Sequence, residues 1–329
     1  MRRTPSGYRP SGFILIVVLG AVLVLSALLF GFNYAARTSL TTADSFCGTE
    51  QLRHSAWAGV QIALAAVRDA NDLHRDPRFA KLLTGANTFP VGDTQCSITI
   101  HEENGLLNVN RLKTADGQLD RKHIDQLLRL IDGLNREQRE APRIGYGLVP
   151  ALIDWTDEDD QVTCLTFVQQ DNLGAERDYY ERRDPPRTCK NAPLDVVEEI
   201  LGIKGITPEN FQRLRPYLTC LGDGKVNINA APKLVLQSLS EQIDEAIAQM
   251  ILAQRQRKPF GTIGELRNVP GMTDNIYQAV KDGITVSPSE RYYRVTSEAK
   301  AMERKCTLEA VLRRNTQAGN VDISEYREL

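Results

Sequence analysis

From Phe13 to Ala36 the chain carries no charged side chain, reading FILIVVLGAVLVLSALLFGFNYAA. A helix of that length extends about 36 Å, enough to cross the hydrocarbon core of a bilayer, so the run predicts a transmembrane helix and not a buried one. Arg2, Arg3 and Arg9 precede it. The bias of basic residues toward the cytoplasm then leaves the first dozen residues there and sends everything after Arg37 across the membrane. No proline interrupts the chain between Pro10 and Pro77, and apolar Trp57, Val60, Leu64 and Val67 continue at helical spacing beyond the apolar run. The pattern predicts one helix of about 60 residues, apolar first and amphipathic later, whose second half needs a sheet to cover its stripe.

An ordinary secretory signal has a shorter apolar region followed by a small-x-small cleavage site. Here the small residue, Gly12, comes before the apolar run. A short basic leader ending in Gly12, followed by Phe13 and an unbroken apolar stretch, resembles a type IV prepilin. That resemblance implies cutting by the prepilin peptidase after Gly12 on the cytoplasmic side, methylation of the new terminus at Phe13, and retention of the helix in inner-membrane lipid. Such pilins usually carry a glutamate five residues into the mature chain, and here that position is Val17. A buried carboxylate would need a partner, whereas Val17 needs none.

Composition narrows the rest. With 42% hydrophobic and 25% charged residues in 329, the chain is long and apolar enough to fold two or three subdomains, which excludes general disorder. A formal net charge of -2 offers no overall attraction to a polyanion, so no nucleic-acid partner is expected. The cysteines at 47, 96, 164, 189, 220 and 306 include no C-x-x-C pair, and there are only four histidines. This argues against zinc and leaves disulfides as the leading use across the membrane. His54, His74, His101 and His123 have no nucleophile motif nearby and are expected at the surface, and no catalytic residue is assigned.

Cys96, Ile98 and Ile100 alternate with Ser97, Thr99 and His101, predicting a half-buried strand, with Asn104-Gly105 turning into a second strand at 106–110. After Asp120 the period becomes helical, with Ile124, Leu127, Leu128 and Ile131 on one face. Gly-Leu-Leu-Asn-Val-Asn at 105–110 is echoed by Gly-Lys-Val-Asn-Ile-Asn at 224–229, so two related elements bracket the helical block, unless the likeness of two short strands is chance. Two helix-hairpin-like turns also stand in the chain, Leu201-Gly202-Ile203-Lys204-Gly205-Ile206 before a helix start at Thr207-Pro208-Glu209, and Val269-Pro270-Gly271-Met272 before Thr273-Asp274. The last strands are expected at Tyr292 to Ala299 and Cys306 to Leu312.

Asp154-Trp155-Thr156-Asp157-Glu158-Asp159-Asp160 is followed by Gly174-Ala175-Glu176-Arg177-Asp178-Tyr179-Tyr180. Together with the leader, the 105–110 strand and Val-Asn-Ile-Asn-Ala-Ala-Pro at 226–232, these motifs in this order resemble the K subunits, minor pseudopilins of the type II secretion system. The resemblance runs along nearly the whole chain, and absence of the early glutamate is a trait of these subunits. It implies a pilin-like α+β fold: a long N-terminal helix packed on a small antiparallel sheet, with a large inserted α-helical domain. It also implies assembly with the minor pseudopilins I and J in a complex that starts or caps the periplasmic pseudopilus, which works with other secretion-system components to export folded proteins.

Five acidic side chains in seven residues repel one another unless a cation neutralises them. The loop lacks the glycine and terminal glutamate spacing of an EF-hand. Because related subunits bind calcium in this domain, the resemblance implies Ca2+ with Asp154, Asp157 and Asp159 as ligands and Glu176 added from the second segment. A solvated acidic loop beside a core Trp155 is the other reading. Cys164 and Cys189 flank the loop that follows, and joining them closes about 26 residues, worth about 3 kcal/mol, so this pairing is the first expectation among fifteen connectivities.

The organisation expected is a leader over 1–12, a transmembrane helix over 13–36, a pilin-like helix and first strands over 37–112, an inserted helical domain over 113–222, a second strand-plus-hairpin subdomain over 223–284, and closing strands over 285–329. The alternatives are a minor pilin of a type IV pilus or a DNA-uptake protein binding through its hairpins. Thr273, standing where such hairpins usually have a second glycine, argues against close backbone approach to phosphate.

Overall fold

The computed structural model describes residues 11–69, 76, 82–83 and 87–329. The leader through residue 10 and His74 therefore lie outside the described residues, and Gly12 is seen only as helical backbone. Helix α1 runs unbroken from Ser11–Asp69, and its apolar first part lies bare, with Phe13, Val17 and Leu28 exposed. From Leu52 the helix has one covered face: Leu52, Ala56, Val60, Ala63 and Val67 are buried, with Trp57 and Leu64 at its margins. The alanines and Gly59 bring the helix close to the sheet. A Cβ at Gly59 would sit 2.1 Å from Ser297 Oγ and 2.8 Å from Cys96 Sγ.

The covering sheet has five antiparallel strands in chain order: β1 (Asn87–Val91), β2 (Thr94–Glu102), β3 (Glu290–Ala301), β4 (Arg304–Asn315) and β5 (Val321–Glu328). Alternation along β2 buries Cys96, Ile98 and Ile100 against α1, as the period-2 pattern predicts. The two edge strands, β1 and β5, are too polar or too short to show a clear alternation in sequence. Cys96 Sγ donates to Ser55 O at 3.5 Å, and Arg314 at the far end of β4 donates to Val67 O. The sheet thus follows the helix away from the membrane.

Everything between β2 and β3 leaves and re-enters at that membrane-distal end. The Asn104-Gly105 turn is not the hairpin expected from its sequence. Residues 103–105 form a 3-10 turn in which Asn104 accepts from Tyr292 N at 2.8 Å and donates to Glu290 O at 3.0 Å. Gly105 is pressed against the next unit, where a Cβ would lie 2.6 Å from the Ala230 carbonyl carbon. The chain therefore passes out of the sheet, and Leu107-Asn108 pairs in parallel with Leu218-Thr219.

The unit that follows contains α2 (Arg121–Glu137), α3 (Leu148–Thr156), α4 (Arg177–Glu181), α5 (Pro208–Leu214), α6 (Lys233–Ser238), α7 (Glu245–Arg257) and α8 (Asp274–Val280). Ile124, Leu127, Leu130, Ile131 and Leu134 of α2 face one apolar cluster that extends from Leu107 to Val286. Segments on either side of residue 222 share this core, so that boundary divides the sequence without dividing the packing.

The two sequence echoes are two copies of one motif. Asn108 Oδ1 accepts from Asn110 N at 2.9 Å, and Asn227 Oδ1 from Asn229 N at 3.1 Å. Asn110 then clamps both backbone groups of Leu194 (2.8 and 2.9 Å), as Asn229 clamps those of Phe260 (2.8 and 3.0 Å). Each clamp leads into a 3-10 turn, Val197–Gly202 or Ile263–Asn268, then a left-handed glycine, Gly205 at φ +84° or Gly271 at φ +87°. Thr207 and Thr273 next cap α5 and α8, accepting from Asn210 N and Ile276 N. Each copy closes on a parallel two-residue pairing, Asn108 with Thr219 and Asn227 with Thr285.

Charged contacts join this unit to the sheet. Arg294 binds Glu103 at 2.7 Å and Glu309 at 2.8 Å; Arg327 of β5 binds Glu309 at 2.7 Å and Glu198 at 2.8 Å; and Arg215 also binds Glu198 at 2.8 Å. Glu102 Oε1 accepts from Asn227 Nδ2 at 2.6 Å.

Candidate metal centre

The acidic loop forms where α3 stops. Asp154 lies in the last turn and Asp157 at the C-cap, and the chain then doubles back so that Gly174 N donates to Thr163 O at 2.9 Å. Asp154 is wholly buried; its Oδ1 accepts from Thr163 N at 2.9 Å, and its Oδ2 has no close hydrogen-bond partner among the described residues. Gly174 packs directly on this carboxylate, since a Cβ there would be 2.0 Å from Asp154 Oδ2 and 2.7 Å from Pro150 O. Lys204, in the first hairpin turn, fixes the same backbone by donating to Leu173 O at 3.2 Å and Gly174 O at 2.9 Å.

One oxygen each of Asp157, Asp159 and Glu176 lie within 4.8 Å of one another. Three of the four ligands expected from the sequence are thereby brought together. Asp154 stands outside this group, anchoring the turn behind it. Glu176 is only 4% exposed, and among the described residues both its oxygens lack a hydrogen-bond partner, as does Asp157 Oδ1. Lys113 supplies the one close cation among the described residues, 2.8 Å from Asp157 Oδ2 and 3.8 Å from Asp159 Oδ2. Asp160 is drawn aside by Arg177 at 3.3 Å and Asn191 at 3.2 Å.

This charge balance is incomplete, and the carboxyl groups register it. Burial, then the neighbouring Asp154 and Asp157, push Glu176 up to about 7. Burial likewise raises Asp154, and raises Asp157 despite the opposing bond from Lys113. Unpartnered buried carboxylate oxygens from two segments, with one lysine between several negative groups, make a donor set that fits a hard, oxygen-loving cation. The alternative of a simply solvated acidic loop describes Glu158 and Asp159, which are exposed, but not Glu176 or Asp157.

Trp155 packs beneath the loop, edge-on to Tyr180 at 4.9 Å, so the core role expected for it and the acidic cluster coexist. The expected pairing of Cys164 with Cys189 is not formed in the structure, where neither sulfur is bonded to another. Cys164 is exposed beside Leu173, whereas Cys189 is buried and its Sγ points to Asp154 O at 3.6 Å. Cys189 thus serves the floor of the acidic loop. His54 and His101 are exposed as expected, but His123 is partly buried between Asp120 at 2.8 Å and Gly224 O at 3.2 Å. Sequence reasoning missed Lys113, Lys204 and Asn191, because isolated polar residues far along the chain carry no local pattern.

Comparison with known proteins gives the same direction at each level. Two family models, both described as type II secretion system protein K, match residues 105–223 and 226–287, together more than half of the chain. A type II secretion system protein K of Aeromonas hydrophila is 28% identical over 243 residues, 68% of each chain. The protein of that name from Klebsiella pneumoniae is 26% identical over 296 residues, 87% of each. In fold, the chain is similar to one in the crystal structure of the GspK-GspI-GspJ complex of the enterotoxigenic Escherichia coli type 2 secretion system. The TM-score is 0.68 at 20% identity, covering 88% of this chain and 99% of that one. With its long anchor helix laid on an antiparallel sheet and both halves of its helical unit matched, the chain belongs to the type II secretion system protein K family and is a minor pseudopilin of that system.

Proposed function

We propose that this subunit sits at the tip of a periplasmic pseudopilus, anchored in the inner membrane by 13–36 and joined laterally to the minor pseudopilins I and J through the rest of α1. The observation that carries this is placement. The whole segment between β2 and β3, more than half of the chain, is attached at the membrane-distal end of the sheet, where it would block a further subunit from stacking above. Val17, uncharged at the fifth mature position, has no group that would need a neighbour's terminus. The solved relative is itself a complex of K with I and J, which supports the same partners here.

Processing after Gly12 and methylation of Phe13 belong to this reading. Intact mass of the membrane-extracted chain is expected to equal residues 13–329 plus one methyl group; a mass that retains the leader would contradict it.

The acidic loop fits calcium, with Asp157, Asp159 and Glu176 as ligands and Asp154 shaping the turn. Bound calcium would supply the positive charge that Lys113 alone does not. Thermal unfolding with calcium and with a chelator tests this, because a ligand of the native state raises stability by mass action. A rise that Asp157→Ala and Asp159→Ala abolish is expected, whereas equal unfolding in both buffers would remove the metal from the account.

A further inference from the structure

On the surface of the helical unit three arginines line one groove. Arg136 lies in the last turn of α2, Arg139 and Arg143 follow in the next loop, and Asp132, Asn135 and Ala141 complete the walls. All three arginines are exposed, and none has an ion-pair partner among the described residues. The groove's one carboxylate, Asp132, accepts from the Tyr146 hydroxyl, which Arg143 also contacts, so three guanidinium groups stand against one carboxylate. Helix-dipole complementarity accounts for Arg136 at the end of α2, but not for Arg139 or Arg143 beyond it.

The loop bearing the last two arginines is rigidly held from beneath. Asn135 both donates to Ile144 O and accepts from Ile144 N, each at 2.9 Å. Buried Arg213 donates to Pro142 O at 2.6 Å and to Leu134 O at 3.0 Å. A loop so fixed needs no further backbone ordering to present its guanidinium groups, which lowers the cost of binding to that of the side chains alone.

Guanidinium forks recognise planar oxyanions, carboxylate or phosphate. Phosphate in the headgroups of the anchoring membrane is out of reach. The helix rises about 46 Å between the end of the apolar run and Val67, whose carbonyl accepts from Arg314 at the end of the sheet from which the helical unit leaves. We propose that the groove docks an acidic segment of a protein partner in the periplasm, its carboxylates held by Arg136, Arg139 and Arg143. The charge and geometry of the groove stand independently of the tip reading; only the exclusion of membrane phosphate uses the anchor.

The test is fluorescence anisotropy of a labelled octaglutamate peptide with the full chain in neutral detergent, and octaglutamine as the uncharged control. R136Q/R139Q/R143Q is expected to weaken octaglutamate binding about tenfold or more, and R257Q/K258Q, which removes exposed positive charge elsewhere, to change it less than about twofold. The triple Arg→Lys variant, which keeps charge but loses the forks, is expected to fall between them. Single R139Q and R143Q variants, at exposed positions with unchanged thermal unfolding, guard against a folding effect and are each expected to weaken binding. Equal loss in the two charge-removal variants would overturn the proposal. So would tighter binding of inorganic phosphate, anionic vesicles or duplex DNA than of octaglutamate at the same ionic strength.

Discussion

At the residue scale the acidic loop depends on two features of opposite character, a missing side chain and an unpaired charge. Gly174→Ala would drive a Cβ into Asp154 Oδ2 and Pro150 O, and neither the last turn of α3 nor its backbone can retreat far. The expected outcome is a loss of about 2 kcal/mol or more in denaturant unfolding and a weaker response to calcium. Glu176, held near 7 by burial and by Asp154 and Asp157, binds its proton more tightly folded than unfolded. In metal-free protein its contribution to stability is therefore full below about 4.5 and is lost as pH rises through 7. Glu176→Gln is expected to make chelated protein more stable than the native chain at pH 8, equal near pH 4, and unresponsive to calcium; a chelated variant that is less stable at pH 8 would contradict this. The acidic cluster was legible because paired acidic motifs stand out in sequence. That Asp154 turns inward and Asp157 meets Lys113 was not, since both follow from where α3 ends.

At the element scale, helix α1 was legible from its uncharged apolar run and the stripe that follows, and β2 from its period, whereas β3 and β4 alternate only loosely and were legible as strands without a clear buried face. The Asn104-Gly105 turn misled because its residues suit a hairpin, while the deciding contacts, Asn104 on β3 and Gly105 on Ala230, come from far along the chain. The duplicated motif shows the reverse case: the Asn-x-Asn echoes are only a few residues long, yet each asparagine does the same work in both copies. Thr207→Ala and Thr273→Ala each remove a cap and are expected to cost about 1 kcal/mol, measured by urea unfolding. Asn229→Ala is expected to cost more, because it leaves the buried N–H and C=O of Phe260 unpaired. Between the elements, Glu198 ties the helical unit to β5. Burial opposes its ionisation, but bonds from Arg327 and Arg215 prevail and hold it at about 2. Its contribution, about 3 kcal/mol at most, is present above 4.5 and lost as pH falls toward 2. The stability difference between the native chain and Glu198→Gln is expected to shrink over that range; a difference that stays constant would assign the effect to packing.

At the scale of the whole molecule, one helix serves two environments, and the sheet that covers its second half carries the helical unit at the end farthest from the membrane. Sequence made the anchor plain, but the single core from Leu107 to Val286 was invisible there, because it is assembled from short segments whose partners lie up to 180 residues away. A subunit built in this way has a free flank along α1 and an obstructed top, which is the form a tip requires. The direct measurement is to co-express the full chain with minor pseudopilins I and J, extract the membranes, and weigh the complex recovered through a tag on the chain. A discrete assembly with one copy of each is expected, with no second copy of this chain. Recovery of the chain alone, or of assemblies in which it repeats along a filament, would contradict its place at the tip.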